Sequence, residues 1–242
     1  SGVYDLILYG TKQTVAVFMN DAYFFKTQTP INTLNILVEK HPNEAKVYAV
    51  YGDYLIRKKQ DELALKQYEK ALSLDSTKYL IWEQVILIYN SVYDYQSVQT
   101  YCRKALGFFP QHSALYYFSA LSANELRLYD VSIQDCEIGM NFTYKPAQQI
   151  DFLLLSGKSY ASLEKYEDAI LQYEQVSYIK ANFPEALAEQ AYCMAMNNSD
   201  LALAEQYIKS ALELEADNQR YYYIYATVLQ KQNNFSVAKF WI

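Results

Sequence analysis

Residues 48–55 read Tyr48-Ala49-Val50-Tyr51-Gly52-Asp53-Tyr54-Leu55, and the pattern closes with Ala64, Tyr68, Ala71 and Leu72. Shifted by 34 residues, it meets Trp82, Val85, Ile86 and Tyr89, then Val98, Cys102, Ala105 and Leu106. Another 34 bring Tyr116, Ser119, Ala120 and Ala123, then Ser132, Cys136, Gly139 and Met140. After 37 more come Leu153, Ser156, Gly157 and Tyr160, then Ala169, Tyr173 and Val176. A shift of 35 gives Ala188, Ala191, Tyr192 and Ala195, then Ala204, Ile208, Ala211 and Leu212. A last shift of 34 reaches Tyr222, Tyr225, Ala226 and Leu229, then Phe235, Ala238 and Ile242. Six registers at so regular a period are the mark of a stacked repeat.

Within one unit the apolar residues recur at three and four, as in Tyr48-Tyr51-Leu55 and Leu65-Tyr68-Leu72, which places them on one face of a helix. Lys58-Lys59-Gln60-Asp61 interrupts the two runs, with Asp61 expected to cap the second helix. Each unit is therefore two antiparallel helices joined by a short turn. Gly52 and Ala64 let the pair approach closely, and Ala71 serves the contact with the next unit. One hairpin cannot bury both of its faces, so neighbours must stack to make a continuous core.

Tyr48, Gly52, Ala64, Tyr68 and Ala71, followed by Trp82, Tyr89, Tyr95, Ala105 and Pro110, resemble the tetratricopeptide repeat over residues 44–242. The resemblance implies an all-α fold, a right-handed superhelical solenoid of antiparallel helix pairs. The expected units are 44–77, 78–111, 112–148, 149–183, 184–217 and a truncated 218–242. Residues 1–43 fit poorly, with Phe18, Pro30 and Leu37 where Gly52, Ala64 and Ala71 stand later. They are expected to form a divergent helical hairpin, with Thr29-Pro30 as a helix start, His41-Pro42 as a stop and 3–9 as the remnant of an earlier helix. Stretch 140–146 is expected to lengthen a turn between units. The array stops at Phe240-Trp241-Ile242 within what should be a second helix, and it opens at Ser1-Gly2 without Met. Both ends lead to the expectation of a fragment of a larger protein, with self-association through the open carboxyl-terminal end as a further reading.

Composition agrees with helices: 52% of residues are hydrophobic, while only 6 Gly and 5 Pro occur among 242 residues. A net charge of −6 disfavours phosphate-backbone binding, and no apolar run reaches the roughly 18 residues a membrane helix needs. Cys102, Cys136 and Cys193 have no metal-ligand spacing and read as small core residues. His41 and His112 stand at turns beside Pro, without a partnered nucleophile. Ser156-Gly157-Lys158-Ser159 lacks the Gly a phosphate loop requires, since Phe152 occupies that place. Asn141, Asn197 and Asn234 begin glycosylation sequons that carry little weight alone. No catalytic, cofactor or metal site is expected. Low charge and abundant Tyr, Asn and Gln point towards an exported bacterial protein, with a cytoplasmic one as the alternative.

In tetratricopeptide arrays the first helix of each unit lines a concave surface that receives a peptide. The resemblance therefore implies a lining of Lys46, Ala49 and Asp53, then Leu80, Glu83, Leu87 and Asn90, then Tyr117, Leu121 and Asn124. It continues with Asp151, Leu154 and Lys158, then Glu189, Cys193 and Met196, then Arg220, Tyr223 and Thr227. The carboxylate clamp of chaperone-docking members is missing: Ala49, Asp53, Gln84, Ala114 and Phe118 stand at its places. The expected function is a non-catalytic scaffold that binds a partner polypeptide in this groove. The alternatives are a regulatory repeat arm of a larger enzyme or signalling protein, or a receptor for a peptide or small ligand built on Tyr117, Tyr223 and Glu83.

Overall fold

A computed structural model describes residues 5–6, 17–18 and 30–238. The chain divides into two compact units, Ser1–Val92 and Tyr93–Ile242. The first holds β1 (Asp5–Leu6), β2 (Val17–Phe18), α1 (Pro30–Lys40), α2 (Ala45–Arg57), α3 (Asp61–Leu74) and α4 (Tyr79–Ser91). The second holds α5 (Tyr95–Leu106), α6 (Ser113–Glu125), α7 (Tyr129–Met140), α8 (Pro146–Ser162), α9 (Tyr166–Ile179), α10 (Pro184–Met196), α11 (Leu201–Leu214), α12 (Gln219–Lys231) and α13 (Phe235–Ala238).

In the first unit α1 packs on α2, α2 on α3 and α3 on α4. Leu34, Val47, Leu55, Ala64, Tyr68 and Ala71 form the buried layer between them. In the second unit every helix from α5 to α13 packs on the next, so the core runs along the stack as successive layers. Here α6 also touches α8, α8 touches α10 and α10 touches α12, so the first helices of successive hairpins share one face.

The small residues act as the spacing predicts. A methyl group on Gly52 would lie 2.5 Å from Tyr68 Cε1, and one on Gly157 would lie 2.6 Å from Tyr173 Cε1. At both positions the missing side chain makes room for the tyrosine ring of the paired helix. Gly139, in the register of Ala71, faces the neighbouring hairpin: its methyl would meet Phe152 Cζ at 2.5 Å.

The aromatic residue that opens a unit has a polar task as well. Tyr48 Oη donates to Pro42 O (2.9 Å), Trp82 Nε1 to Ser76 O (2.9 Å), Tyr116 Oη to Pro110 O (2.9 Å) and Tyr222 Oη to Ala216 O (2.6 Å). In each case the acceptor lies six residues back, in the preceding turn. A flat apolar ring with a donor at its tip fills the interface and also satisfies a loop carbonyl.

The turns between paired helices repeat equally closely. Lys59, Arg127, Glu164, Asn198 and Asn233 in these turns, and Tyr93 where the chain passes from the first unit to the second, all have positive φ, between 50° and 63°. At five of these the next residue donates its N–H to a carbonyl of the last helical turn, as Gln60 does to Leu55 (3.0 Å) and Leu128 to Ala123 (2.8 Å). Lys165, Ser199 and Asn234 do the same to Tyr160, Met194 and Leu229. This is a Schellman closure made without glycine, which is how so Gly-poor a chain turns so often.

Several expectations are corrected. Asp61 does not cap α3; Gln60 holds the cap position without a side-chain bond, and Asp61 sits in the first turn, where its charge favours the helix dipole. The insertion at 140–146 does not simply lengthen a loop. Pro146 starts α8 early, and that helix runs 17 residues against 13 for α6 and α10. Asp5–Leu6 pair antiparallel with Val17–Phe18, where a helical remnant and a first helix were expected. Valine, isoleucine and tyrosine dominate 3–9 and suit a strand as well as a helix. The expected helix start at Pro30 is where α1 begins. Phe240-Trp241-Ile242 lie outside the described residues.

Candidate peptide groove

The shared face of α6, α8, α10 and α12 carries a cleft of about 690 Å³. Asp151, Leu154, Leu155 and Lys158 come from α8, one to two turns apart, so they lie along one edge of that helix. Glu185 and Glu189 project from consecutive turns of α10, while Arg220 and Tyr221 come from the start of α12. Tyr117 of α6, Phe183 and Tyr173 close the apolar wall, with Glu215 and Asn218 at the rim. Tyr117 meets Phe152 edge-on at 5.7 Å and also walls a smaller cleft of about 200 Å³ shared with Ser113, Phe118 and Gln148.

Four carboxylates face two cations here, and both cations are engaged. Arg220 grips Glu189 through two bonds, Nε to Oε1 and Nη2 to Oε2, the latter 2.7 Å. Lys158 Nζ lies 3.4 Å from Glu125 Oε1. Tyr221 Oη donates to Glu215 Oε2 (2.9 Å). Desolvation, together with Glu189 and Glu215, raises the pKa of Glu185 above its ordinary value, against the opposing pull of Arg220 and Lys158. Desolvation raises Asp151 as well.

The first unit has its own cleft of about 700 Å³, lined by Lys46, Ala49, Asp53, Tyr68, Lys78, Leu80 and Gln84 among others. Tyr68 Oη donates to Asp53 Oδ1 at 2.6 Å, and desolvation raises the Asp53 carboxyl despite that bond. Near it on α4, Glu83 accepts from Tyr79 Oη (3.1 Å), Leu87 is exposed and Asn90 half-buried.

Of the residues the resemblance implied, Lys46, Ala49, Asp53 and Leu80 line the first cleft, and Tyr117, Asp151, Leu154, Lys158, Glu189 and Arg220 line the second. Tyr223 is exposed beyond the cleft, Leu121 and Met196 are half-buried, and Thr227 Oγ1 donates to Tyr223 O (2.9 Å). Two implied residues are not available to a ligand. Asn124 is buried and donates its amide to Ser159 Oγ (2.8 Å), tying α6 to α8. Cys193 is buried in the core, where burial pushes its thiol pKa up to about 12; Cys102 and Cys136 are buried too and shifted the same way. The implied list omitted Leu155, Tyr173, Phe183, Glu185, Glu215, Asn218 and Tyr221. Glu185 was recoverable from the helical period, being one turn before Glu189; Tyr173 lies on a second helix, and first-helix reasoning passes over it.

No family profile matches the sequence, and no curated protein matches it either. Solved structures do. YrrB, described as a TPR protein with an unusual peptide-binding site, superposes with a TM-score of 0.66 at 17% identity, covering 78% of this chain and 96% of its own. PilW, described as a type IV pilus biogenesis factor, gives 0.66 at 17% identity, covering 81% and 90%. MamA from Desulfovibrio magneticus RS-1 gives 0.63 at 18% identity, covering 72% and 96%. No helix among the described residues is long and apolar enough to cross a membrane. Periodicity, helix pairing and these likenesses agree that the chain has the all-α fold of tetratricopeptide-type helical hairpins.

Proposed function

We propose that the chain is a non-catalytic interaction scaffold that binds a segment of a partner polypeptide, with the cleft on α6, α8, α10 and α12 as its principal seat. The carrying observation is that three successive contacts between first helices leave an open, half-apolar trough with polar groups along both edges. Pockets of several hundred Å³ with a few fixed polar groups suit a peptide or ligand. YrrB, a protein of the same fold, is described as having a peptide-binding site, which supports a peptide as the kind of partner. The units that build the scaffold are taken as 44–77, 78–111, 112–148, 149–183, 184–217 and 218–242. In the first unit the peptide-contacting residues are taken as Lys46, Ala49, Asp53, Glu83, Leu87 and Asn90, and in the second as Leu121 and Tyr223 beside the cleft residues.

The test compares peptide binding by the unaltered chain with that of Tyr117→Ala, Leu154→Glu and a control on the opposite helix layer, Leu171→Ala, whose side chain is exposed on α9. Loss in the first two and retention in the third supports the groove. Retention in both groove variants with loss in Leu171→Ala would falsify it.

A further inference from the structure

Two tyrosines 105 residues apart occupy the same register, and only one of them has its hydroxyl satisfied. Tyr68 and Tyr173 are each 1% exposed, and each lies flat against the glycine of the facing helix, Gly52 or Gly157. The residue after Gly52 is Asp53, which accepts the Tyr68 proton at 2.6 Å. The residue after Gly157 is Lys158, whose ammonium donates and cannot accept. Tyr173 Oη accordingly has no hydrogen-bond partner among the described residues, although it forms part of the wall of the large cleft. A buried hydroxyl in this condition is a donor for which the described residues supply no acceptor.

We propose that the cleft takes a basic residue of the partner peptide: a Lys or Arg cation seated among Glu185, Asp151 and Glu215, with a carbonyl of the same segment accepting from Tyr173 Oη. The proposal rests on the groove reading above and gives it a ligand chemistry. An acidic segment would also offer acceptors, but it would meet four carboxylates, and the two cations are already spent on Glu189 and Glu125. A wholly apolar segment would leave both the hydroxyl and the acidic rim without partners. A long basic side chain fits both parts of the cleft, laying its methylenes along Tyr117, Leu154 and Phe183 while its charge reaches the carboxylates. Desolvation first, and then crowding by Glu189 and Glu215, disfavour the Glu185 charge, and an arriving cation offsets both.

The experiment is a randomised nonapeptide array probed with the whole 242-residue chain, followed by affinity measurement of the selected peptides on variants. The expected result is enrichment of Lys or Arg at one position. Affinity for those peptides should fall about tenfold in Glu185→Gln and about fivefold in Tyr173→Phe. Tyr173→Phe should do this without lowering the thermal midpoint, which a merely structural hydroxyl would not allow. Peptides selected with no basic preference, or with an acidic one, yet weakened by Leu154→Glu, overturn the basic-residue proposal and leave the groove standing. Peptides indifferent to every groove variant, or no selection at all, overturn both.

Discussion

Asp53 and Lys158 show how one side chain decides what its neighbour does. With Asp53 in place, the Tyr68 hydroxyl is an internal fastening between α2 and α3. Tyr68→Phe removes the donor and leaves a largely desolvated carboxyl with one bond fewer. We expect a loss of about 1–3 kcal/mol in chemical denaturation. The turns make a second case. Arg127 and Glu164 hold positive φ (61° and 59°), where a Cβ crowds the following carbonyl. Replacing either by Gly removes that strain, worth about 1–2 kcal/mol, and returns part of it as unfolded-chain entropy. A net gain of about 0.5–1 kcal/mol should appear in the denaturation midpoint, with no change in slope. The same substitution at Asn198, a residue type that tolerates this conformation, should gain less.

At the scale of helices, the hairpin and its period were legible because they rest on side-chain volume recurring at fixed spacing. Gly52 and Gly157 read as small helix-crossing residues from their place in the repeat, and Gly139 stands in the register of Ala71. What the sequence did not show is the polar wiring across the stack. Asp135 is buried on α7, where Arg103 of α5 (2.6 Å) and Ser119 of α6 (2.7 Å) both bond Oδ2. Gln99 of α5 lies 2.7 Å from the same hydroxyl. No local pattern marks Asp135 as internal, since its partners lie 32 and 16 residues away. The groove was half legible for the same reason: single-helix periodicity finds Leu154 and Lys158, but Tyr173 enters from another layer, and Asn124 is diverted into the α6–α8 contact. Arg103→Met would strand the buried carboxylate of Asp135. Loss of about 3–5 kcal/mol is expected, whereas the double change Arg103→Met with Asp135→Leu should recover much of it. Thermal unfolding of the two variants side by side checks this.

Over the whole molecule, a net charge of −6 leaves the carboxylates as the groups through which acidity acts on stability. They pull in opposite directions. Asp75, bonded by Thr77, and Glu205, bonded by Lys209 and Gln232, have lowered pKa values, so their contributions are present at neutral pH and fade as pH falls through those values. Asp53, Asp151 and Glu185 are raised by desolvation, so the folded chain holds their protons at pH values where the unfolded chain has released them. Their contributions are complete below the ordinary carboxylate range and are lost as pH rises through the raised values. Glu185 isolates the second effect, because its surroundings are Glu189 and Glu215 on one side and Arg220 and Lys158 on the other. Glu185→Gln removes a charge that folding disfavours, so the variant should be the more stable protein at neutral pH, by a few tenths of a kcal/mol, on the order of a surface substitution. The advantage should shrink as pH falls through the raised pKa of Glu185 and vanish below the ordinary glutamate value. A gap in melting temperature that widens on acidification would instead place Glu185 among the groups stabilised by their charge.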